Sequence, residues 1–398
     1  MFWENASDAH HEIVINGMKR DRFEAILSHF HLANNYELDA EDKYAKIRPL
    51  VTMINEKFLC YAPIEEYYSF DESMCKYFGR HGLKQFIRGK PIRFGFKIWC
   101  GATRLGYVVN VDPYQGKNGY KEKDDLNLGL GGQLVYKFAK ILKSQNPNPF
   151  HLFCDNFFTS IKLISELQKI GIRATGTIKE NRSEHCPLLT KQNMKKESRG
   201  FYDYRVDESQ ELIVCKWNDN NVVSLCSNSV GINPVHSTTR FSRAGRKRIQ
   251  IDQPHLIKLY NENMGGVDRM DQNVSKYRIA IHGKKWYWSL ITFFIDMAVN
   301  NAFQLYRQKY NDLDLLAFRR RIARFYMEHY SKTSKKRNLP CQVTTETRYD
   351  GLYHFVCPQE NQTRCGLCHT KCTTRCVKCN KGVHVKCFIS YHTKCNTI

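Results

Sequence analysis

Between residues 67 and 179 the apolar pattern of the chain changes period several times, and the order of those changes admits few folds. "YYSFD" (67–71), "PIRFGFKIWCGAT" (91–103) and "GYVVNVDPY" (106–114) are rich in Val, Ile, Phe and Tyr and read as strands. The short turn "RLG" joins the last two, which makes them an antiparallel pair. "GGQLVYKFAKILKS" (131–144) then spaces Leu134, Phe138, Ile141 and Leu142 along one helical face. "FHLFCD" (150–155) is a fourth strand, "SIKLISELQKIG" (160–171) a helix closed by Gly171, and "IRATGTIK" (172–179) a fifth strand. Three strands, helix, strand, helix, strand is the plan of a mixed sheet flanked by helices, so the expected class is α/β.

The flanks set the expected domain limits. "MKRDRFEAILSHFHLAN" places Phe23, Ile26, Leu27 and Phe30 on one helical face, and "YAKIRPLVTMINEKFLCY" continues after the pre-proline break at Arg48. Residues 1–64 are therefore read as a helical lead-in and 65–182 as the first part of the main domain. Residues 183–262 interrupt it. "NRSEHCPLLTKQNMKKESRG" is polar and basic, and "FYDYRVDESQELIVCKWNDNNVVSLCSN" reads as short antiparallel strands, so a β-rich inserted subdomain is expected. Helices resume at "GGVDRMDQNVSKYR" (265–278) and "WYWSLITFFIDMAVNNAFQLYRQ" (286–308), the second apolar nearly all round and hence buried. They form the second part of the main domain, 263–330. A basic, apolar-poor linker (331–356) and a cysteine-rich module (357–398) complete the chain.

Charge narrows the partner. The chain has 61 Lys and Arg against 39 Asp and Glu, a net +22, and such an excess attracts polyanions. Residues 307–398 hold 18 of the basic and six of the acidic residues, so this last quarter carries +12 of that excess. Nucleic acid is the expected partner, and a basic surface kept for solubility is the alternative. The longest apolar stretch (286–299) is shorter than the about 20 residues a bilayer needs and is broken by Asp296. The N-terminus lacks the basic-then-apolar plan of a signal peptide. A soluble intracellular protein with no membrane partner is expected.

Two strands share one design: "YYSFD" and "FHLFCD" both end in an acid, Asp71 and Asp155. If the strands are neighbours, both carboxylates emerge at one sheet edge, and like charges held close destabilise each other unless a cation intervenes. Carboxylate oxygens suit Mg²⁺. "GGVDRMDQ" offers Asp268, with Asp271 one turn later on the same face, and Gly265-Gly266 give the backbone room to approach the sheet. Three carboxylates can hold two Mg²⁺ ions about 4 Å apart, the arrangement that serves phosphodiester chemistry. Asp at a strand end is also an ordinary turn residue, and Asp271 has a surface ion pair with Lys276 or Arg278 as its other reading.

Eight of the 16 cysteines fall within residues 357–398. The others, Cys60, Cys75, Cys100, Cys154, Cys186, Cys215, Cys226 and Cys341, are scattered and read as small apolar fillers. In the cluster, Cys365 and Cys368, Cys376 and Cys379, His384 and Cys387, and His392 and Cys395 are each separated by two residues. These are ligands for two tetrahedral Zn²⁺ ions, wired either as a cross-brace (first and third pairs, second and fourth) or sequentially. Cys357 and Cys372 are left over. Cys372 either replaces a ligand or is a loop cysteine.

"SFDESMCKYFGRHGLKQFIRGKPIRFGFKIWCGATRLGYVVNVDPYQGK", "LFCDNFFTS", "GGVDRMDQ" and the run ending "KCFISYHTKC" together resemble the piggyBac-type transposases and their domesticated derivatives. The resemblance covers the chain from about Met18 to Cys395. It implies an RNase H-like domain with a β-rich insertion between the second and third acids. It places Asp71, Asp155 and Asp268 where the family has its metal-binding aspartates, and Asp271 where it has a further acid. The implied activity is cut-and-paste transposition in the nucleus: nicking at transposon ends, hairpin formation by the freed 3′-OH, then joining at TTAA sites in double-stranded DNA. "KKWYW" (284–288) aligns with a basic and aromatic patch in which Lys284 and Lys285 contact DNA and Trp286 stacks on an unpaired base. The other reading of Trp286 and Trp288 is that they anchor the following helix. Lys335, Lys336 and Arg337 add basic charge ahead of a cysteine-rich domain that binds subterminal DNA in such enzymes. The family carries a long segment ahead of "KRDRFEAILSHFHLANN", where only about 17 residues stand here. A truncated or domesticated form is one expectation from this, and a homodimer is expected if the N-terminal region suffices. A catalytically silent DNA-binding protein acting through its zinc module remains the alternative. A RING-type ligase or histone-reading finger fits less well, since the gaps between knuckles leave little loop to grip a partner.

Overall fold

The computed structural model describes residues 2–4, 9–116, 126–145, 148–242, 245–281, 283–329 and 348–393. The chain divides into two units, Met1–His329 and Tyr330–Ile398.

The first unit opens with α1 (Glu12–Gly17), α2 (Arg20–His29) and α3 (Arg48–Cys60). Pro49 stands in the first turn of α3, where its missing N–H costs no hydrogen bond, and Val51, Ile54 and Phe58 line the buried face. β1 (Tyr67–Lys76), β2 (Gln85–Phe86), β3 (Phe94–Thr103), β4 (Val108–Pro113), α4 (Gly129–Gln145), β5 (His151–Cys154), α5 (Ile161–Lys169) and β6 (Arg173–Thr177) follow. In space the strands run β4–β3–β1–β5–β6, with β2 also on β3. β3 is antiparallel to β1 and β4, whereas β1, β5 and β6 are mutually parallel. Parallel neighbours need a long crossover, which α4 and α5 supply.

After α6 (Lys191–Met194) come β7 (Tyr202–Asp207), β8 (Leu212–Asn218), β9 (Val222–Ser227), β10 (His236–Ser242) and β11 (Lys247–Gln253). The stretch read as an inserted subdomain is not wholly separate, because β9, β8 and β7 continue the main sheet beyond β6. An unpaired β6 edge would leave backbone donors and acceptors without partners, and β9 satisfies them. β10 and β11 form their own hairpin.

Helices α7 (His255–Asn263), α8 (Gly266–Lys276), α9 (Trp288–Lys309) and α10 (Leu315–His329) complete this unit. One face of the sheet packs Tyr68, Phe70 and Leu152 against Phe138 of α4 and Leu163 and Leu167 of α5. The other packs Cys100, Ala102 and Val111 against Phe58 of α3, Met270 of α8 and Phe294 of α9. The outer strand β4 is closed by side chains: Asn55 bonds both main-chain groups of Val111, and Asn301 both of Val108. Cys75, Cys100, Cys154, Cys215 and Cys226 are buried fillers. Among the described residues, no helix is long and apolar enough to cross a membrane.

The second unit contains β12 (Val356–Arg364), β13 (Lys371–Cys376), β14 (Lys381–Gly382) and α11 (Val385–His392). Its buried cluster is Cys365, Cys372, Val383, Cys387 and Tyr391, which is too little apolar matter to account for the fold of this unit by hydrophobic burial.

α8 reaches the sheet through Gly266. A Cβ there would lie 2.3 Å from the Thr103 carbonyl oxygen and 2.6 Å from Ser69 Oγ, whereas one at Gly265 would meet nothing within 4 Å. Gly266→Ala is expected to destabilise the protein by about 1–3 kcal/mol through overpacking, and Gly265→Ala to stay within about 0.5 kcal/mol of the parent. Urea unfolding of both variants is the check. Equal stability of the two would mean that the close approach does not constrain α8.

Candidate functional site

The β1–β5 ladder pairs Phe70 with Cys154, so Asp71 and Asp155 stand side by side one residue further on. Asp155 follows the last residue of β5, as the sequence suggests. Asp71 does not end its strand: β1 runs on to Lys76, still paired with β3. The strand outlasts its aromatic run because the alternating residues Ser69, Asp71 and Ser73 face α8, where Ser69 lies against Gly266 and Ser73 Oγ donates to Asp271 Oδ1 at 2.5 Å. Asp271 is thereby tied to β1, which sets aside its reading as a surface ion pair. Asp268 is exposed in the first turn of α8.

The carboxylates sit in an unfavourable field. Burial, then the neighbouring Glu72 and Asp155 charges, push Asp71 up to about 8 despite the opposing Lys90 ammonium. Burial raises Asp155 as well, against the Phe157 N–H that donates to its Oδ1 at 2.7 Å. Burial takes Asp271 to about 6 even though Ser73 opposes it. Asp155 is thus also a turn residue, so its ordinary reading and its metal-ligand reading coincide in one side chain. The three aspartates are not drawn into a tight set. Among the described residues, the groups of three or more potential ligand atoms within 4.8 Å of one another are two Cys/His sets.

Glu72 is more than a neighbour of Asp71. Its carboxylate lies 3.5 Å from Lys90 Nζ and 3.8 Å from Lys97 Nζ. Neither lysine is marked by composition, although both fall in the "GKP" and "GFK" strings that carry the family resemblance.

The "KKWYW" patch is mostly engaged in packing. Lys285 Nζ donates to the carbonyls of Ser28 and Phe30 at 2.8 and 2.7 Å. The Trp286 ring lies 4.3 Å from His81 and 5.7 Å from Phe96, and Trp288 stacks on Phe30 at 5.2 Å. Lys284 is exposed beside a cavity that His29, His31, Arg80 and Lys285 also line. Lys335, Lys336 and Arg337 lie outside the described residues.

In the second unit, Cys365, Cys368, His384 and Cys387 converge, the first and third pairs of the cross-brace. Cys376, Cys379 and His392 converge as well, and their fourth member is His354. Cys395 lies outside the described residues. The linker read over 331–356 therefore cuts away part of this unit: an isolated histidine carries no knuckle spacing, and only the fold brings it to the cysteines. Cys372 belongs to neither set and is buried, donating to the Thr374 carbonyl.

The donors fit a tetrahedral ion. Bond lengths of about 2.0–2.1 Å to nitrogen and 2.3 Å to sulfur imply N···S edges of about 3.6 Å. His354 Nδ1 is 3.4 Å from Cys376 Sγ and 3.5 Å from Cys379 Sγ, and His384 Nδ1 is 3.3 Å from Cys368 Sγ and 3.9 Å from Cys387 Sγ. Each ring is oriented through its other nitrogen, as metal-binding imidazoles require. His354 Nε2 faces Asp350 at 3.0 Å and His384 Nε2 the Lys371 carbonyl at 3.0 Å. His392 Nδ1 bonds the Arg348 carbonyl at 2.8 Å and leaves its buried Nε2 with no protein partner. Hydrogen bonds from the main chain at Cys368, His384 and Leu367 outweigh burial and bring Cys365 down to about 6. The thiol of Cys379 is pushed up to about 12 by burial and by Cys376 beside it, a crowding that a cation relieves.

Asp71 makes the metal-free protein pH-sensitive. Its folded-state value, about 8, exceeds the ordinary carboxylate value of about 3.9, so the folded form binds the proton more tightly and stability falls as pH rises through that window. Asp71→Asn removes this slope. In magnesium-free buffer it is expected to raise Tm at pH 8 and leave it unchanged near pH 4. A Tm difference that does not vary with pH would contradict the strained carboxylate.

Residues 1–303 match the family model described as Transposase IS4. Over 396 residues the chain is 51% identical to PiggyBac transposable element-derived protein 2 of Homo sapiens, covering 99% of this chain and 67% of that protein. PiggyBac transposable element-derived protein 3 of Homo sapiens is 46% identical over 398 residues, 99% of this chain and 66% of that one. The chain thus spans about two thirds of the length of these relatives. The fold superposes with a TM-score of 0.65 on a piggyBac transposase solved by cryo-EM as a synaptic complex with hairpin DNA, covering 95% of this chain and 80% of that one at 19% identity. Identity of this order, sustained along almost the whole chain and joined to a common fold, establishes that the chain belongs to the piggyBac transposable element-derived protein family.

Proposed function

We propose that the first unit is an RNase H-like, Mg²⁺-dependent DNA transposase centre, with Asp71, Asp155 and Asp268 as metal ligands and Asp271 as a supporting acid. The observation that carries this reading is the parallel register that stands Asp71 beside Asp155, with α8 held over the same face by Gly266. Bound Mg²⁺ would supply a polarised water or 3′-hydroxyl and neutralise the leaving oxygen. The chain's own part is to fix the acids on rigid elements, so that ordering them costs little when DNA arrives. Ser73 holds Asp271 in place, and the turn after β5 holds Asp155. The substrate class is double-stranded DNA with transposon ends, nicked, closed as a hairpin and joined at TTAA sites. The protein works as a homodimer in the nucleus on this reading. The net charge of +22 supports phosphate binding.

With Mg²⁺ and a family-type transposon end, the full chain is expected to nick the DNA. Asp71→Asn, Asp155→Asn and Asp268→Asn are each expected to lower the rate by at least about a thousandfold. Equal nicking by all three variants and the parent would refute the assignment. Metal-independent, sequence-selective binding with no nicking by the parent would favour a silent DNA-binding protein.

We assign the two Cys/His sets to Zn²⁺, with Cys365, Cys368, His384 and Cys387 on one ion and His354, Cys376, Cys379 and His392 on the other. His354→Ala is expected to reduce bound zinc from two ions per chain to one, and Asp350→Asn to weaken that site about 10–100-fold while keeping the count. Zinc counting by atomic absorption decides it, and two ions retained in His354→Ala would remove His354 from the ligand set.

A further inference from the structure

β10 and β11 stand apart from the main sheet as a two-stranded ribbon, His236–Ser242 against Lys247–Gln253. At about 3.4 Å per residue, strands of 7 residues make the ribbon about 24 Å long. Its two faces differ, because side chains alternate along each strand. One face turns Arg240, Ile249, Ile251 and Gln253 toward the body of the unit. Ile251 is buried with Cys215 and Trp217, and Arg240 Nε donates to Asp219 Oδ2 at 3.1 Å. The main chain is held from the same side: Arg199 Nη1 donates to the Phe241 carbonyl at 2.9 Å, and Trp217 Nε1 to the Asp252 carbonyl at 2.8 Å. The opposite face is exposed at every position, as the cross-strand pairs Ser237 and Asp252, Thr239 and Gln250, and Phe241 and Arg248. Phe241 leaves 57% of its surface uncovered. Ser237 Oγ donates to Gln250 Oε1 at 3.1 Å and holds that amide along the face. Arg246 and Lys247, beyond the last of these pairs, are exposed as well. Residues 236–253 carry five basic side chains and one acidic, a balance that favours a polyanion.

We propose that the β10–β11 ribbon enters the major groove of double-stranded DNA, with Thr239, Phe241, Arg248 and Gln250 toward the base edges and Arg246 and Lys247 on the phosphates. The inference rests on the DNA-substrate reading above and is independent of the metal centre. A major groove about 12 Å wide admits a two-stranded ribbon, and there Arg bonds guanine, Gln bonds adenine, and Thr and Phe meet the thymine methyl. That chemistry accounts for the composition of the outward face. Charge that serves only to keep a ribbon edge from pairing with other strands requires neither an exposed Phe nor an oriented amide. Because the inner face fixes the ribbon to the unit, little conformational freedom is lost when DNA binds. The deep, narrow major groove of duplex RNA does not admit it.

The test is selection from a randomised duplex library by the full zinc-loaded chain in magnesium-free buffer, followed by anisotropy titration of the selected duplex. Arg248→Lys is expected to lose preference at a G·C pair and Gln250→Ala at an A·T pair, each by at least about fivefold, with the other positions kept. Gln250→Glu is expected to move its preference toward cytosine, a gain that a misfolded variant cannot imitate. Arg246→Ala and Lys247→Ala are expected to weaken binding on all sequences and each to lower the slope of log K against log salt by about 0.9. Lys196→Ala removes an exposed lysine elsewhere in the inserted stretch and is expected to keep the parent's slope. If Arg248→Lys, Gln250→Ala and Gln250→Glu all select the parent's motif, the ribbon does not read bases and the proposal falls while the DNA reading stands. An equal loss of slope in Lys196→Ala would overturn the phosphate contacts, and duplex RNA bound as tightly as DNA would overturn the groove. A parent that binds no duplex DNA sinks the DNA-substrate reading and the ribbon together.

Discussion

Phe70 pairs with Cys154 in the parallel ladder between β1 and β5, and one residue further along both strands the ladder gives way to carboxylates. That single register does several jobs. It requires a crossover, which α4 provides, and it buries Phe70 against Phe138 and Phe158, so slippage by one residue would turn Phe70 toward α8 and Asp71 into the apolar layer. It also places Asp71 and Asp155 at the same height. The cost is burial of a carboxylate beside other acids, which raises the proton affinity of Asp71.

The other face of β1 is organised by contact rather than by hydrophobicity alone. Gly266 lets α8 touch Ser69 and Thr103, and the same helix brings Asp271 to Ser73. α9 is then held by Asn300 and Asn301, which bond the main chain at Gly106 and Val108, and by buried Asp296, which accepts from Ile279 N–H and Arg319. A buried carboxylate, three buried amides (Asn300, Asn301 and Gln304) and the Thr292 hydroxyl in a largely apolar helix are tolerated because each has a hydrogen-bond partner. The second unit follows a different logic, with little apolar burial and two convergent ligand sets that fit tetrahedral ions.

Much of this was legible in residue order. The alternation from "YYSFD" to "IRATGTIK" specified a mixed sheet because strand and helix periods differ and short and long connections dictate antiparallel or parallel pairing. The double glycine before Asp268 announced a close approach. The run of two-residue spacers announced residues that converge, as two Cys/His sets do among the described residues. Less legible were residues whose partners are distant: His354 stands 11 positions before Cys365, and Asn55 and Asn301 complete a strand edge that neither is near in sequence. Trp286 was readable either as a base-stacking ring or as an anchor, and its neighbours His81, Tyr44 and Phe96 come from elsewhere in the chain.

The sequence by itself determined the local choices: which segments are strands, where helices start, which cysteines pair as knuckles, and that acids follow two apolar strands. Those depend on side-chain period, backbone freedom and ligand reach, all of which act over a few residues. Only the tertiary structure decided that β7–β9 extend the main sheet, that Asp71 lies within its strand, that His354 joins Cys376, Cys379 and His392, and that Lys90 and Lys97 meet at Glu72. These depend on which edges are left unpaired and which charges are left buried, quantities that exist only once the chain is packed.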